Sequence, residues 1–232
     1  MKSLKRTLAM LTAAALAAVA SAGTQTWDFS DGLDEWRFVT YHLWGAGKSR
    51  PIWITENGTL QQSNKHAWAV AVVGEDYWDN YAVSARIRID EPFNAQPIGL
   101  VFRARFLPDN EFVCYAFEIN LIHQKVALAR YRRYRGLRIS YRYPNEEGAA
   151  VEFGKWYDIR AHVNGGHFQC YINDALEFEY TDEDYIAQGA VGIVSLYSIV
   201  SMDDLTVTGG SIEGGILTEQ WARLKLREKE RL

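Results

Sequence analysis

PIGLVFRARFLPDNEFVCYAFEIN, Pro97 to Asn120, decides the fold. It reads as two strands and a turn. Leu100, Phe102, Ala104 and Phe106 share one parity, and Gly99, Val101, Arg103 and Arg105 share the other. Side chains alternate across a strand, so one face is apolar and the other carries two guanidinium groups. Leu107-Pro108-Asp109-Asn110 supplies the turn, because Pro fixes φ and Asp and Asn tolerate a tight backbone. On the return strand Val113, Tyr115, Phe117 and Ile119 oppose Cys114, Ala116 and Glu118. A tight hairpin brings Arg103 near Cys114 and Glu118 near Gly99, a polar patch on two otherwise buried strands.

Outward from this hairpin the pattern repeats. Strands are expected from Trp68 to Val73, Tyr81 to Ile89, Lys125 to Tyr131, Leu137 to Tyr143 and Trp156 to Val163. More follow over Phe168 to Ile172, Leu176 to Tyr180, Ala190 to Leu196 and Met202 to Val207. Asn57-Gly58, Asn164-Gly165-Gly166 and Asn173-Asp174 are tight-turn signals. Short alternating strands with no helical period predict an all-β, two-sheet antiparallel sandwich. This domain is expected over residues 23–208, followed by a Gly-rich link (209–216) and a C-terminal helix (217–232) with Leu217, Trp221 and Leu224 at helical spacing.

Residues 1–22 read as a secretory signal. Lys2, Lys5 and Arg6 precede an apolar run, and Ala20-Ser21-Ala22 suits cleavage. The protein is therefore expected to be exported, to a periplasm or the extracellular space, with no membrane span in the mature chain. Removing this leader leaves 22 Lys and Arg against 29 Asp and Glu, a balance of −7. That balance argues against nucleic acid as a partner. Cys114 and Cys170 are the only cysteines, and both fall in strands. A bridge and two buried thiols are equally compatible with this placement.

Four segments carry a resemblance: FSDGLDEW (Phe29 to Trp36), GLVFRARFLPDNEFVCYAFEI (Gly99 to Ile119), GKWYDIRAHVNGGHFQCYIND (Gly154 to Asp174) and GAVGIVSLYSIVSMDDLTV (Gly189 to Val207). Their order and spacing resemble the concanavalin A-like lectin/glucanase jelly rolls, and within them the laminin-G-like branch that includes the 3-keto-disaccharide hydrolase domain. The resemblance implies two curved sheets with sugar often bound on the concave one. Arg103 matches the arginine of the family's GLxFR-like strand, which faces that sheet. Enzymes, sugar-binding modules and structural domains all occur on this fold, so the fold does not choose among them.

The residues frame that choice. By parity Arg103, Arg105 and Glu118 share a face, and Tyr131 joins it if the next turn is tight. Arg makes paired hydrogen bonds to hydroxyls or a carboxylate, and Tyr covers a sugar ring. A cross-strand Arg–Glu pair holding two strands together is the structural alternative. Trp44 and Trp53 lie in irregular sequence and are expected at the rim. Glu118 with Arg103 is the candidate catalytic set. The E-x-D-x-x-E or E-x-D-x-E pattern of the superfamily's glucanases does not occur, which weighs against ordinary two-carboxylate glycoside hydrolysis. Asp28, Asp203 and Asp204 are candidate ligands for a structural calcium, with turn capping as the alternative. The run Arg130-Tyr131-Arg132-Arg133-Tyr134-Arg135 suits an acidic polysaccharide or a solvated hairpin.

The expected function is therefore glycan binding on the concave sheet. The alternatives are a glycoside or keto-glycoside hydrolase on the same face, and a structural or adhesion module. An enzyme needs a carboxyl in the cleft with a raised pKa. A binding module needs exposed aromatics and no such acid, and an adhesion module needs an exposed apolar patch.

Overall fold

The computed structural model describes residues 23–41, 52–64, 66–92, 97–120, 125–133, 137–142, 151–209 and 212. The expected leader, the expected C-terminal helix and Trp44 lie outside them. Fifteen strands are described. They are β1 (Gly23–Trp27), β2 (Arg37–Tyr41), β3 (Trp53–Glu56), β4 (Thr59–Gln62), β5 (Trp68–Val73), β6 (Tyr81–Pro92), β7 (Ile98–Leu107) and β8 (Glu111–Asn120). Then come β9 (Lys125–Arg133), β10 (Leu137–Arg142), β11 (Trp156–Asn164), β12 (His167–Ile172), β13 (Ala175–Thr181), β14 (Ala190–Leu196) and β15 (Ser198–Gly209).

They form the two-sheet antiparallel sandwich that the alternation predicts, with the jelly-roll form that the resemblance implies. Sheet I runs β13-β12-β11-β6-β15-β4-β3, with β1 also paired to β15. Sheet II runs β10-β9-β8-β7-β14-β5-β2. Every described pairing is antiparallel. The turns form where their residues allow positive φ. Asn57 and Gly58 join β3 to β4 at φ 52° and 74°, and Asn173 and Asp174 join β12 to β13 at 47° and 66°. Asp109 and Asn110 do the same in the central hairpin, at 62° and 58°.

The core between the sheets is built from alternate residues. Val83, Ala85, Ile87 and Ile89 of β6 meet Phe102, Tyr115, Phe117 and Ile119 of sheet II. Phe168 packs against both Phe102 and Tyr115, with ring centroids 5.3 and 4.9 Å apart. Ile212 also joins this core, so the chain is still docked beyond β15. Cys170 belongs to this core, whereas Cys114 lies on the opposite face of sheet II. The two thiols are free and buried, and burial pushes both of their pKa values up. No described helix is long and apolar enough to cross a membrane.

Sheet II has a second buried layer. Val39, Trp68, Val70, Val72, Cys114 and Tyr131 are among its members, all on the face turned away from sheet I. Every member comes from the strands of sheet II, with the partly buried Tyr197 beside them.

Candidate functional site

Among the described residues Glu118 is the one buried carboxyl, at 1% exposure. Its position follows from the hairpin. Gly99 pairs directly with Glu118, as the tight register predicts. A Cβ at Gly99 would lie 2.9 Å from Glu118 Cγ and 2.4 Å from the Phe117 carbonyl oxygen, so only glycine admits the carboxyl here. On the other side β9 places Tyr131 opposite Cys114, with the pair Ala116–Ala129 between Tyr131 and Glu118. The two alanines leave a shallow floor. Across it the Tyr131 hydroxyl donates to Glu118 Oε1. Trp68 packs on the Tyr131 ring at 5.7 Å.

Burial sets the chemistry of this pair. It pushes the Glu118 carboxyl up to about 8, against the smaller lowering effect of the Tyr131 hydrogen bond. Burial and the neighbouring carboxyl push the Tyr131 phenol well above its ordinary value, so it remains a donor. Glu118 Oε2 is buried without a hydrogen-bond partner. Burial thus favours the protonated acid at Glu118, with one oxygen held by Tyr131 and the other buried without a partner.

Arg103 and Arg105 do not join Glu118, and here the parity expectation is corrected. The β7–β8 register shifts between Phe102 and Arg105, and Arg103 adopts φ 54°. A bulge inserts one residue and inverts the alternation beyond it. Arg103 is buried, with Nη1 donating to the Ile186 carbonyl at 2.8 Å and Nη2 to that of Gly165 at 3.0 Å. Its backbone N–H, freed by the bulge, donates to the Tyr81 hydroxyl at 2.8 Å. Arg103 thus ties the loop before β14 and the β11–β12 turn to sheet II. Arg105 pairs with Val113, on the side of sheet I. Glu118 and Tyr131 are the expected site residues that the fold brings together.

The other candidates separate. Trp53, on edge strand β3, stacks on the exposed Phe38 at 6.1 Å, away from the Glu118 face. Asp28 accepts hydrogen bonds from the Ser30 N–H and hydroxyl at 3.0 and 2.7 Å, which lowers its pKa. Asp203 and Asp204 both hold Arg86, at 2.5 and 2.8 Å. Among the described residues no three His, Cys, Asp or Glu side chains gather to hold a metal. Asp28 thus caps a turn, and Asp203 and Asp204 form ion pairs. Two arginines of the basic run are paired with acids. Arg130 meets Asp182 at 3.3 Å and Asp184 at 3.5 Å, and Arg132 meets Glu111 at 2.5 Å.

A shallow cleft of about 350 Å³ lies on the outer face of sheet I. Its arginines are matched by acids: Arg86 by Asp203 and Asp204, and Arg160 by Asp174 at 3.0 Å. Arg86 and Arg88 also lie over the Trp156 ring, and Arg160 over Tyr171. Aromatic faces there are already covered by guanidinium groups.

Trp68, Ala116 and Ala129 are parts of this site that are not among the residues expected from the sequence. The signal was present in the hairpin itself: small residues flank a lone acid on one parity. A further cleft at the end of the sandwich draws on Arg37, Tyr77, Arg105 and Gln188, which come from separate elements. Local sequence carries no signal for that gathering.

Comparison with known proteins places this geometry. A carbohydrate-binding module, CBM66, from Bacillus subtilis superposes with a TM-score of 0.56 at 15% identity, covering 73% of this chain and 94% of that one. Domain 4 of AbnA, a GH43 extracellular arabinanase from Geobacillus stearothermophilus solved with arabinotriose, gives 0.54 at 10% identity, covering 83% and 95%. A Bacillus subtilis protein of unknown function with a galectin-like fold gives 0.53 at 12%, covering 82% and 98%. At these identities the likeness is one of fold. No curated protein matches the sequence. The model of the 3-keto-alpha-glucoside-1,2-lyase-like domain matches residues 26–208, nearly the whole sandwich and most of the chain, and the protein belongs to that family.

Proposed function

We propose that this domain acts on a keto-glycoside by proton transfer at Glu118, an exported saccharide-directed activity. The observation that carries the reading is the Glu118 carboxyl, raised to about 8 by burial and holding one oxygen without a partner. That is the property that separates an enzyme from a plain binding face. On the outer face of sheet II both Trp68 and Tyr131 are buried.

The chemistry suits a single carboxyl. A ketone at C3 of a sugar acidifies the hydrogen on C2. A base takes that proton, the C1=C2 bond forms, and the C1–O bond breaks. The departing oxygen then needs a proton. One carboxyl beside both positions can take the first proton and return it to the leaving group. A group with a pKa near 8 is effective in both directions close to neutral pH. Tyr131 positions it through Oε1. Ordinary glycoside hydrolysis requires a second carboxylate within about 10 Å, and among the described residues no second buried carboxyl accompanies Glu118.

The test is incubation of the full chain with 3-keto-glycosides and with the matching ordinary glycosides, followed by detection of unsaturated sugar products. Turnover of the keto-glycosides alone is expected, falling about 100-fold or more in Glu118→Gln. The absence of turnover, or turnover undiminished in a folded Glu118→Gln variant, would overturn the proposal.

A further inference from the structure

The bulge that removes Arg105 from the Glu118 face delivers it to a different place. An open cleft of about 540 Å³ lies at the end of the sandwich where β2 begins and β5 and β7 end. That volume is in the range of small-ligand sites. Arg37 and Asp76 form one wall, as an ion pair at 2.9 Å. Arg37 is further fixed by donating to the Gly74 carbonyl at 3.0 Å and by lying over the Phe106 ring. It is fully committed.

Arg105 is not. Its Nε is buried without a hydrogen-bond partner, and no carboxylate among the described residues forms an ion pair with it. A partly buried guanidinium without a counter-charge is costly, and it is matched best by a planar anion that accepts two parallel hydrogen bonds. Around it the cleft carries an exposed aromatic, Tyr77, at 49% exposure. Gln188 and Glu75 complete the rim with an amide and a carboxylate. An aromatic face, a free guanidinium fork and polar groups of both hydrogen-bonding senses form a set that recognises a sugar ring bearing a carboxylate.

We propose that this end cleft is a binding site for an acidic saccharide unit, a uronate. Arg105 takes the carboxylate, Tyr77 covers the ring, and Gln188 and Glu75 meet its hydroxyls. The site is separate from Glu118 and does not depend on catalysis there. It is also distinct from the sheet I cleft, whose arginines are already neutralised.

Calorimetric titration of the full chain with an oligogalacturonide and with a neutral oligogalactoside of equal length tests the proposal. The acidic oligomer is expected to bind at least about ten-fold more tightly, with affinity falling as salt rises. Arg105→Ala should lose about ten-fold or more of that affinity, and Tyr77→Ala should lose a comparable factor. Tyr77→Ala serves as the second probe if Arg105→Ala does not fold. Glu118→Gln should bind the acidic oligomer as the parent does. Equal affinity for both oligomers, no binding of either, or undiminished binding in the folded variants would overturn the proposal. Because Glu118→Gln removes turnover and Arg105→Ala removes uronate binding, failure of one reading is distinguishable from failure of the other.

Discussion

The two sheets turn opposite kinds of surface outward. Sheet I presents arginines and aspartates in a partly solvated ladder, with Arg86 held by Asp203 and Asp204, Arg88 by Asp90, and Arg160 by Asp174. Sheet II presents Val39, Trp68, Val70, Val72 and Tyr131, all buried, with Glu118 as the only buried acid among the described residues. Many charges near water change little, because solvent and partners screen them. A single charge without water is shifted strongly, because desolvation has no competing term large enough to cancel it. The carboxyl raised to about 8 therefore lies on the apolar face and not on the charged one.

The largest effect that tests this contrast is a pH dependence. Glu118 is raised from 4.5 to about 8 in the folded chain. As pH rises above about 4.5 the unfolded chain releases this proton while the folded chain keeps it. Unfolding is then favoured progressively, and the contribution levels off above about 8. The stability present in acid and lost across that window is on the order of 5 kcal/mol. Chemical denaturation of the parent and of Glu118→Gln between pH 5 and 8.5 measures it. The variant should show the flatter profile, and identical profiles would mean that Glu118 titrates as an exposed acid does.

An intermediate effect is expected at Gly99. The Cβ of Gly99→Ala would sit 2.4 Å from a backbone oxygen and 2.9 Å from the Glu118 side chain. The backbone cannot yield cheaply, so a loss of roughly 1–3 kcal/mol is expected. Thermal unfolding reads this, and an unchanged midpoint would show that the sheet has more room than its ladder suggests. On sheet I the same kind of edit should be nearly silent. Arg86→Ala breaks both contacts to Asp203 and Asp204. Its cost should stay below about 1 kcal/mol and shrink further in high salt. A loss as large as that of Gly99→Ala would erase the distinction between the two faces.

The central hairpin shows how far local reading reaches. Gly99 pairs with Glu118 and Phe102 with Tyr115, as the turn and alternation predict. The prediction fails from Arg103 onward, where the bulge inverts the parity. Nothing at Arg103 announces it, since arginine is neither glycine nor asparagine. What holds the bulge is remote. Tyr81 satisfies the exposed N–H, and Gly189 packs so closely that a Cβ there would lie 2.4 Å from the Arg103 carbonyl carbon. Both partners are far away in the chain, on β6 and just before β14. A second irregularity acts on β15: Asp204 sits at φ 51° beside a shift in the β6–β15 register, and both Asp203 and Asp204 meet Arg86.

By itself the sequence determined the strands from Trp68 onward, the tight turns, the pairing of Glu118 with Gly99 and the antiparallel sandwich. Alternation and turn chemistry are local properties, set by each residue and its neighbours. Only the tertiary structure decided that Glu118 meets Tyr131 without Arg103, and that Arg105 faces an open cleft at the sandwich end. Desolvation, bulge placement and the gathering of loop residues depend on contacts between segments distant in the chain, and no short window of sequence contains them.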